Sequence, residues 1–133
     1  MTDNPNLIRS LYDAFGRGDV KAILDNVDPS IEWISNGDGK TIPWGGKRGG
    51  VGGVASFFQA LADNVKFEAF EPRQFFASGD VVTVIGRTRA QFKKPPGGIF
   101  ESEWAHIFTF KNGKLSRFQE FYDTAAIEHA LAA

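Results

Sequence analysis

The stretch from Glu101 to Asp123, ESEWAHIFTFKNGKLSRFQEFYD, constrains the fold of this chain more than any other. Ser102, Trp104, His106, Phe108 and Phe110 alternate along its first half, and Phe118, Glu120 and Tyr122 along its second. Successive side chains of a strand point to opposite faces, so each set occupies one face of its strand. Lys111-Asn112-Gly113 lies between the halves and reads as the turn of a long β-hairpin. One histidine and one glutamate thus stand among aromatics on neighbouring strands, and the functional reading rests on them.

Whether they meet depends on the turn. If Asn112-Gly113 is a two-residue loop, Phe110 faces Leu115, His106 faces Gln119, and His106 and Glu120 lie on opposite faces. If Lys111-Asn112-Gly113 is a three-residue loop with Gly113 in a bulge, His106 faces Phe118 and has Glu120 as a diagonal neighbour, roughly 7–8 Å away between Cα atoms. Asn-Gly suits both. The three-residue turn is favoured, because it places Phe118, Glu120 and Tyr122 beside Trp104 and His106. The other turn puts Arg117 and Gln119 there.

The rest of the chain supplies helices and further strands. Asp3 or Asn4 can cap a first helix that accepts Pro5 in its first turn and spaces Leu7, Ile8, Leu11, Tyr12 and Phe15 helically. Gly16 or Gly18 ends it. Asp19 caps a second helix carrying Val20, Ile23, Leu24 and Val27, which Pro29 stops. Ile31 to Ser35 reads as a short strand with Ile31, Trp33 and Ser35 on one face. A glycine-rich loop follows from Asn36 to Gly53, then a third helix from about Gly50 to Asn64. Strands are expected at Phe67–Phe70, Arg73–Ala77 and Val81–Gln91, and a closing helix at Thr124–Leu131. Helices followed by four or five antiparallel strands make an α+β fold of one domain, 1–133.

Composition narrows the function. There is no cysteine, which removes thiolate chemistry and suits a reducing cytoplasm. The first residues have no basic or apolar segment of a signal peptide, and no apolar run reaches membrane-spanning length. A net charge of −1 with both signs interspersed offers no field for nucleic acid. Thirteen phenylalanines and three tryptophans imply a bulky core or an apolar pocket.

Two motifs carry less than they suggest. Gly50-Val51-Gly52-Gly53-Val54-Ala55 fits G-x-G-x-x-A, but Pro43-Trp44 precedes it rather than a buried strand, and Lys47 lacks a following Ser or Thr. The segment Gly45–Gly53 reads as a flexible loop that could act as a lid beside Trp44. His106 and His129 are too far apart in the chain for a shared metal, and no G-x-S-x-G elbow supports serine catalysis. A buried His106 needs a hydrogen-bond partner, and Glu120 is the candidate. Ordinary pKa values of about 6.5 and 4.3 lie close enough for burial and mutual attraction to tune either group as acid or base. A purely structural buried pair is the alternative.

Leu11-Tyr12-Asp13-Ala14-Phe15-x-x-Gly18-Asp19, Ile31-Glu32-Trp33, Gly50-x-x-x-Val54-x-x-Phe57-Phe58, Ala77-x-Gly79-Asp80-x-Val82-x-Val84 and Trp104-x-His106-x-Phe108-x-Phe110-x-x-Gly113-Lys114-Leu115 resemble a SnoaL-like domain. This is a branch of the nuclear transport factor 2 and ketosteroid isomerase superfamily. The resemblance implies a cone-shaped, strongly curved, mostly antiparallel sheet packed against three helices, a cystatin-like α+β barrel enclosing a deep apolar pocket, and a homodimer. The histidine and aspartate of SnoaL's last two strands correspond to His106 and Glu120. The identities of the ketosteroid isomerase site are not retained. The implied chemistry is that of a cyclase, isomerase or lyase that needs no cofactor or metal. It would act on a small apolar or polycyclic molecule through His106 and Glu120. Tyr12, Phe15, Trp33, Trp44, Phe58, Trp104, Phe108, Phe118 and Tyr122 are the expected ligand-binding residues. A non-catalytic binding or dimerisation domain is the competing expectation.

Overall fold

The computed structural model describes residues 4–132. In chain order the elements are α1 (Asn4–Gly16), α2 (Val20–Leu24), β1 (Val27–Ser35), β2 (Gly46–Gly49), α3 (Gly50–Asn64), β3 (Val65–Ser78), β4 (Val81–Phe92), β5 (Ile99–Lys111), β6 (Lys114–Tyr122) and α4 (Thr124–Ala132). The strands form one open, curved sheet in the order β2-β1-β6-β5-β4-β3. All neighbours are antiparallel except β1 and β6, which run parallel. The expected α+β class is what the chain adopts.

The helices cover the concave face because their apolar residues repeat at helical spacing. Ile8, Leu11 and Ala14 of α1 and Val54, Phe57 and Leu61 of α3 are buried. From the sheet, β4 contributes alternate residues from Val82 to Phe92, and β5 contributes Phe100, Ser102, Trp104, His106, Phe108 and Phe110. The register lays Trp104 opposite Gly86. A Cβ on Gly86 would stand 2.3 Å from the Trp104 ring, so glycine there lets the indole lie against β4.

Several expected boundaries move. Asn4 is the first residue of α1, and its side-chain oxygen is buried without a partner rather than capping the helix. Asp3, the other candidate cap, lies outside the described residues. Asp19 does cap α2, accepting from the Ala22 N–H at 3.1 Å. That helix ends at Leu24, however, and Val27 and Pro29 belong to β1. Val27 pairs with Leu115 and Glu32 with Arg117, so residues 28–31 bulge past a single residue of β6, where a proline is tolerated.

The two strands expected before Ser78 are one, β3, whose pairing with β4 shifts between Phe67 and Ala69 and between Pro72 and Gln74. Such bulges bend and twist a strand, which helps to curve the sheet. The glycine-rich segment is not a free loop. Residues 46–49 pair with β1, and Gly50 to Gly53 form the opening turn of α3. Arg48 donates to the carbonyls of Pro43, Trp44 and Gly45, and Asp38 Oδ1 accepts from the N–H groups of Lys40 and Thr41. A phosphate-binding loop after a buried strand is not what this segment builds.

Candidate functional site

The β5–β6 turn corrects the favoured reading. Lys111 pairs with Lys114 and Phe110 with Leu115, so Asn112-Gly113 is a two-residue turn. Both have positive φ, 52° and 77°, as a type I′ turn requires. Taken alone, this turn would put His106 and Glu120 on opposite faces. A bulge intervenes: Thr109 pairs with Arg117, which leaves Ser116 as an extra residue on β6. The bulge shifts the register by one, so Phe108 faces Phe118 and His106 faces Glu120 directly. The two side chains meet for a reason the turn does not contain.

Both are buried, His106 to 6% and Glu120 to 7% exposure. His106 Nε2 lies 3.3 Å from Glu120 Oε2. On its other side, His106 Nδ1 is 2.7 Å from Tyr12 Oη of α1. Ser35, at the end of β1, donates to Glu120 Oε1 at 2.7 Å and lies 2.5 Å from Tyr122 Oη. Tyr122 Oη in turn accepts from the Gly37 N–H at 3.2 Å, and its ring packs against Trp44 with centroids 6.5 Å apart.

With Glu120 as carboxylate, Ser35 spends its proton on Glu120, so Tyr122 donates to Ser35. On the other side His106 Nε2 faces Glu120, and which of His106 Nδ1 and Tyr12 Oη donates to the other follows the imidazole tautomer. Burial first, and then the Glu120 charge, push the Tyr12 phenol well above the ordinary tyrosine range. The same two causes, in the same order, push Tyr122 up to about 12.

The network forms one wall of a cavity of about 110 Å³ between the sheet and the helices. All nine expected ligand-binding residues line it: Tyr12, Phe15, Trp33, Trp44, Phe58, Trp104, Phe108, Phe118 and Tyr122. His106 and Glu120 line it too. Trp104 stacks on His106 with centroids 3.9 Å apart and donates to Thr88 Oγ1 at 2.9 Å, which fixes the imidazole plane. Tyr12, Phe15, Phe58, Phe67 and Phe70 also border a wide surface groove beside α1 and β3, and so form the partition between cavity and outside. His129 is exposed on α4, away from this site.

Sequence reasoning missed Ser35 as a site residue. Its alternation with Ile31 and Trp33 gave its face, but its contact with Glu120 needs the parallel pairing of β1 with β6, which is not local in sequence. Phe67 and Phe70 were also missed, because period two puts them on opposite faces and only the bulge between Phe67 and Ala69 turns both inward.

A curved, mostly antiparallel sheet covered by helices over an apolar cavity is the architecture of nuclear transport factor 2-like proteins. Residues 8–118 match the model of the SnoaL-like domain, and the chain belongs to that family. No curated protein sequence matches it. Among solved structures, it is similar to a nuclear transport factor 2-like protein of unknown function from Burkholderia pseudomallei. That protein is 25% identical, with a TM-score of 0.89 and all of both chains covered. A nuclear transport factor 2-like protein from Burkholderia xenovorans is 30% identical, with a TM-score of 0.85, covering 96% of this chain and 95% of that one. A Silicibacter protein described only provisionally as a polyketide cyclase shares the fold at 16% identity and a TM-score of 0.79, covering 97% of this chain and 95% of that one. Among the described residues no helix is long and apolar enough to cross a membrane.

Proposed function

We propose that the cavity holds a small apolar molecule and that Glu120 moves a proton on it, in the manner of a cyclase, isomerase or lyase. The observation that carries this reading is a buried carboxylate at the wall of an apolar cavity, held by Ser35 and facing an imidazole that is itself hydrogen-bonded to Tyr12. His106 Nδ1 is taken up by Tyr12, and Nε2 faces Glu120 at 3.3 Å. Proton abstraction therefore falls to Glu120, whose oxygens keep free lone pairs, and His106 orients it. In the step itself, a C–H bond beside a carbonyl breaks, an O–H bond forms on Glu120, and the electron pair moves onto the carbonyl oxygen. Trp33, Trp44, Trp104, Phe118 and Tyr122 keep water out.

Size limits the ligand. A cavity of roughly 150 Å³ accepts benzene, so about 110 Å³ is a tighter site that suits a short chain, and a single ring only where its walls give. The polycyclic ligand that the family resemblance allows would require the Phe15, Phe58, Phe67 and Phe70 partition to open. The second reading, binding without turnover, is favoured by the closure of the network on itself, which would also serve a structural role. Two copies would pair through the outer sheet face, where exposed Phe76 and Phe121 flank half-buried Ile85 and Ile107.

Deuterium uptake from heavy water into small cyclic ketones tests the catalytic reading. Glu120→Gln should abolish uptake while ligand binding persists, and His106→Asn should slow it. Uptake that survives both changes unchanged would remove the acid–base role.

A further inference from the structure

We infer that the cavity and the groove beside α1 and β3 are two parts of one binding site, which takes an elongated, uncharged apolar molecule with a short carbonyl head. The head lies in the cavity beside Glu120, and the longer body lies in the groove. The inference rests on reading the cavity as a ligand site. The cavity holds about 110 Å³ and the groove about 740 Å³. Leu61, Val65 and the five-ring partition line both, so one layer of side chains separates them.

That layer is not equally firm throughout. Tyr12 is held by its hydrogen bond to His106, and Leu61 and Val65 are buried. Phe15, Phe58, Phe67 and Phe70 are only half-buried, and their rings have no directional bond to break when they turn aside. Phe15 is the centre of this group, with centroids 5.9, 5.5 and 5.1 Å from Phe58, Phe67 and Phe70. It stands in the last turn of α1, close to Gly16 and to Gly18, whose φ is positive. Turning Phe15 opens the layer while Tyr12 stays on His106, so the acid–base pair is left in place. The groove itself suits an apolar body. Val20, Ala62, Pro72 and Phe75 extend its apolar lining. The charged residues that line it, Arg9 and Asp13, have opposite signs and favour neither an anion nor a cation. The Arg9 guanidinium lies over the Phe75 ring, 4.3 Å from its centroid. An apolar concave surface left to water marks a place where something binds. A small molecule is the occupant that fits, because the floor of the groove is the wall of the cavity.

Methyl ketones from butanone to nonan-2-one, titrated by calorimetry, test this. In the unaltered protein each added methylene should tighten binding about fourfold along the whole series. Ala62→Trp changes an exposed position of α3 that lines the groove and not the cavity. It should leave butanone binding as it was and end the gain for the longer members. The ¹⁵N indole signals of Trp33 and Trp104, which line the cavity, should shift with short and long ketones alike. A gain that stops at the short members in the unaltered protein would overturn the inference and spare the cavity reading. So would long ketones whose affinity Ala62→Trp does not alter, or that bind without moving those indole signals. If a second copy of the chain covers the groove instead, Ala62→Trp will split a dimer of the ligand-free protein in sedimentation, and the inference fails. No ketone entering at all would remove both readings.

Discussion

The two ends of the β5–β6 hairpin keep different registers. At the turn, Phe110 faces Leu115 under the rules of a two-residue loop. At the site, His106 faces Glu120 in a register one residue removed. Ser116 separates the two regimes. The turn end is governed by local chemistry, since Asn-Gly accepts positive φ at both positions. The site end is governed by burial. Without the shift, Arg117 and Gln119 would enter the aromatic interior, and Phe118, Glu120 and Tyr122 would leave it. The difference teaches that a turn fixes register only as far as the next bulge, and that the hydrophobic pattern decides where the bulge goes.

The harshest way to break this arrangement is to insert one alanine between Arg117 and Phe118. Every later inward residue of β6 would turn to solvent, and the chain should lose cooperative unfolding by circular dichroism. His106→Ala keeps the register but leaves the Glu120 carboxylate buried without its main partner. The Tyr12 hydrogen bond is lost as well and a ring-sized void is left, so a loss of about 3–5 kcal/mol in urea unfolding is expected. Ser35→Ala strips one partner from Glu120 and one from Tyr122, and should cost about 1–3 kcal/mol in the same measurement.

Alkaline titration sharpens the picture from the other side. Both tyrosines of the chain have raised pKa values when folded. The folded state therefore holds its phenolic protons where the unfolded state releases them. Stability should be level below the ordinary tyrosine value of about 10 and fall as pH rises from there through about 12 and beyond. Phenolate absorbance should appear together with unfolding, and not before it.

Deleting Ser116 should have the smallest effect. Leu115 would then run directly into Arg117, giving a regular two-residue hairpin that still sets His106 against Glu120. The main loss is the hydrogen bond from Ser116 Oγ to Thr109 O, about 1 kcal/mol. Retained deuterium uptake in this variant would show that the bulge matters for register parity and not for its own contacts.

Much of the site was legible because alternation is a local signal. Trp104, His106, Phe108, Phe118, Glu120 and Tyr122 could be placed on inward faces from period two alone, and Tyr12 and Phe15 from helical spacing. The turn was misread because Asn-Gly fits two loop lengths, and the burial pattern was matched to the wrong one. Residues 46–49 were read as loop because a short edge strand of glycine and basic residues carries no alternation of its own. Its partner β1 supplies the order.

By itself the sequence determined which side chains want to be buried and on which face of each element they lie, since periodicity is written residue by residue. Only the tertiary structure decided that Ser35 holds Glu120 and that Tyr12 reaches His106. Those facts depend on strands 85 residues apart lying parallel and on a helix crossing the sheet. Packing sets such distances, and no local pattern encodes them.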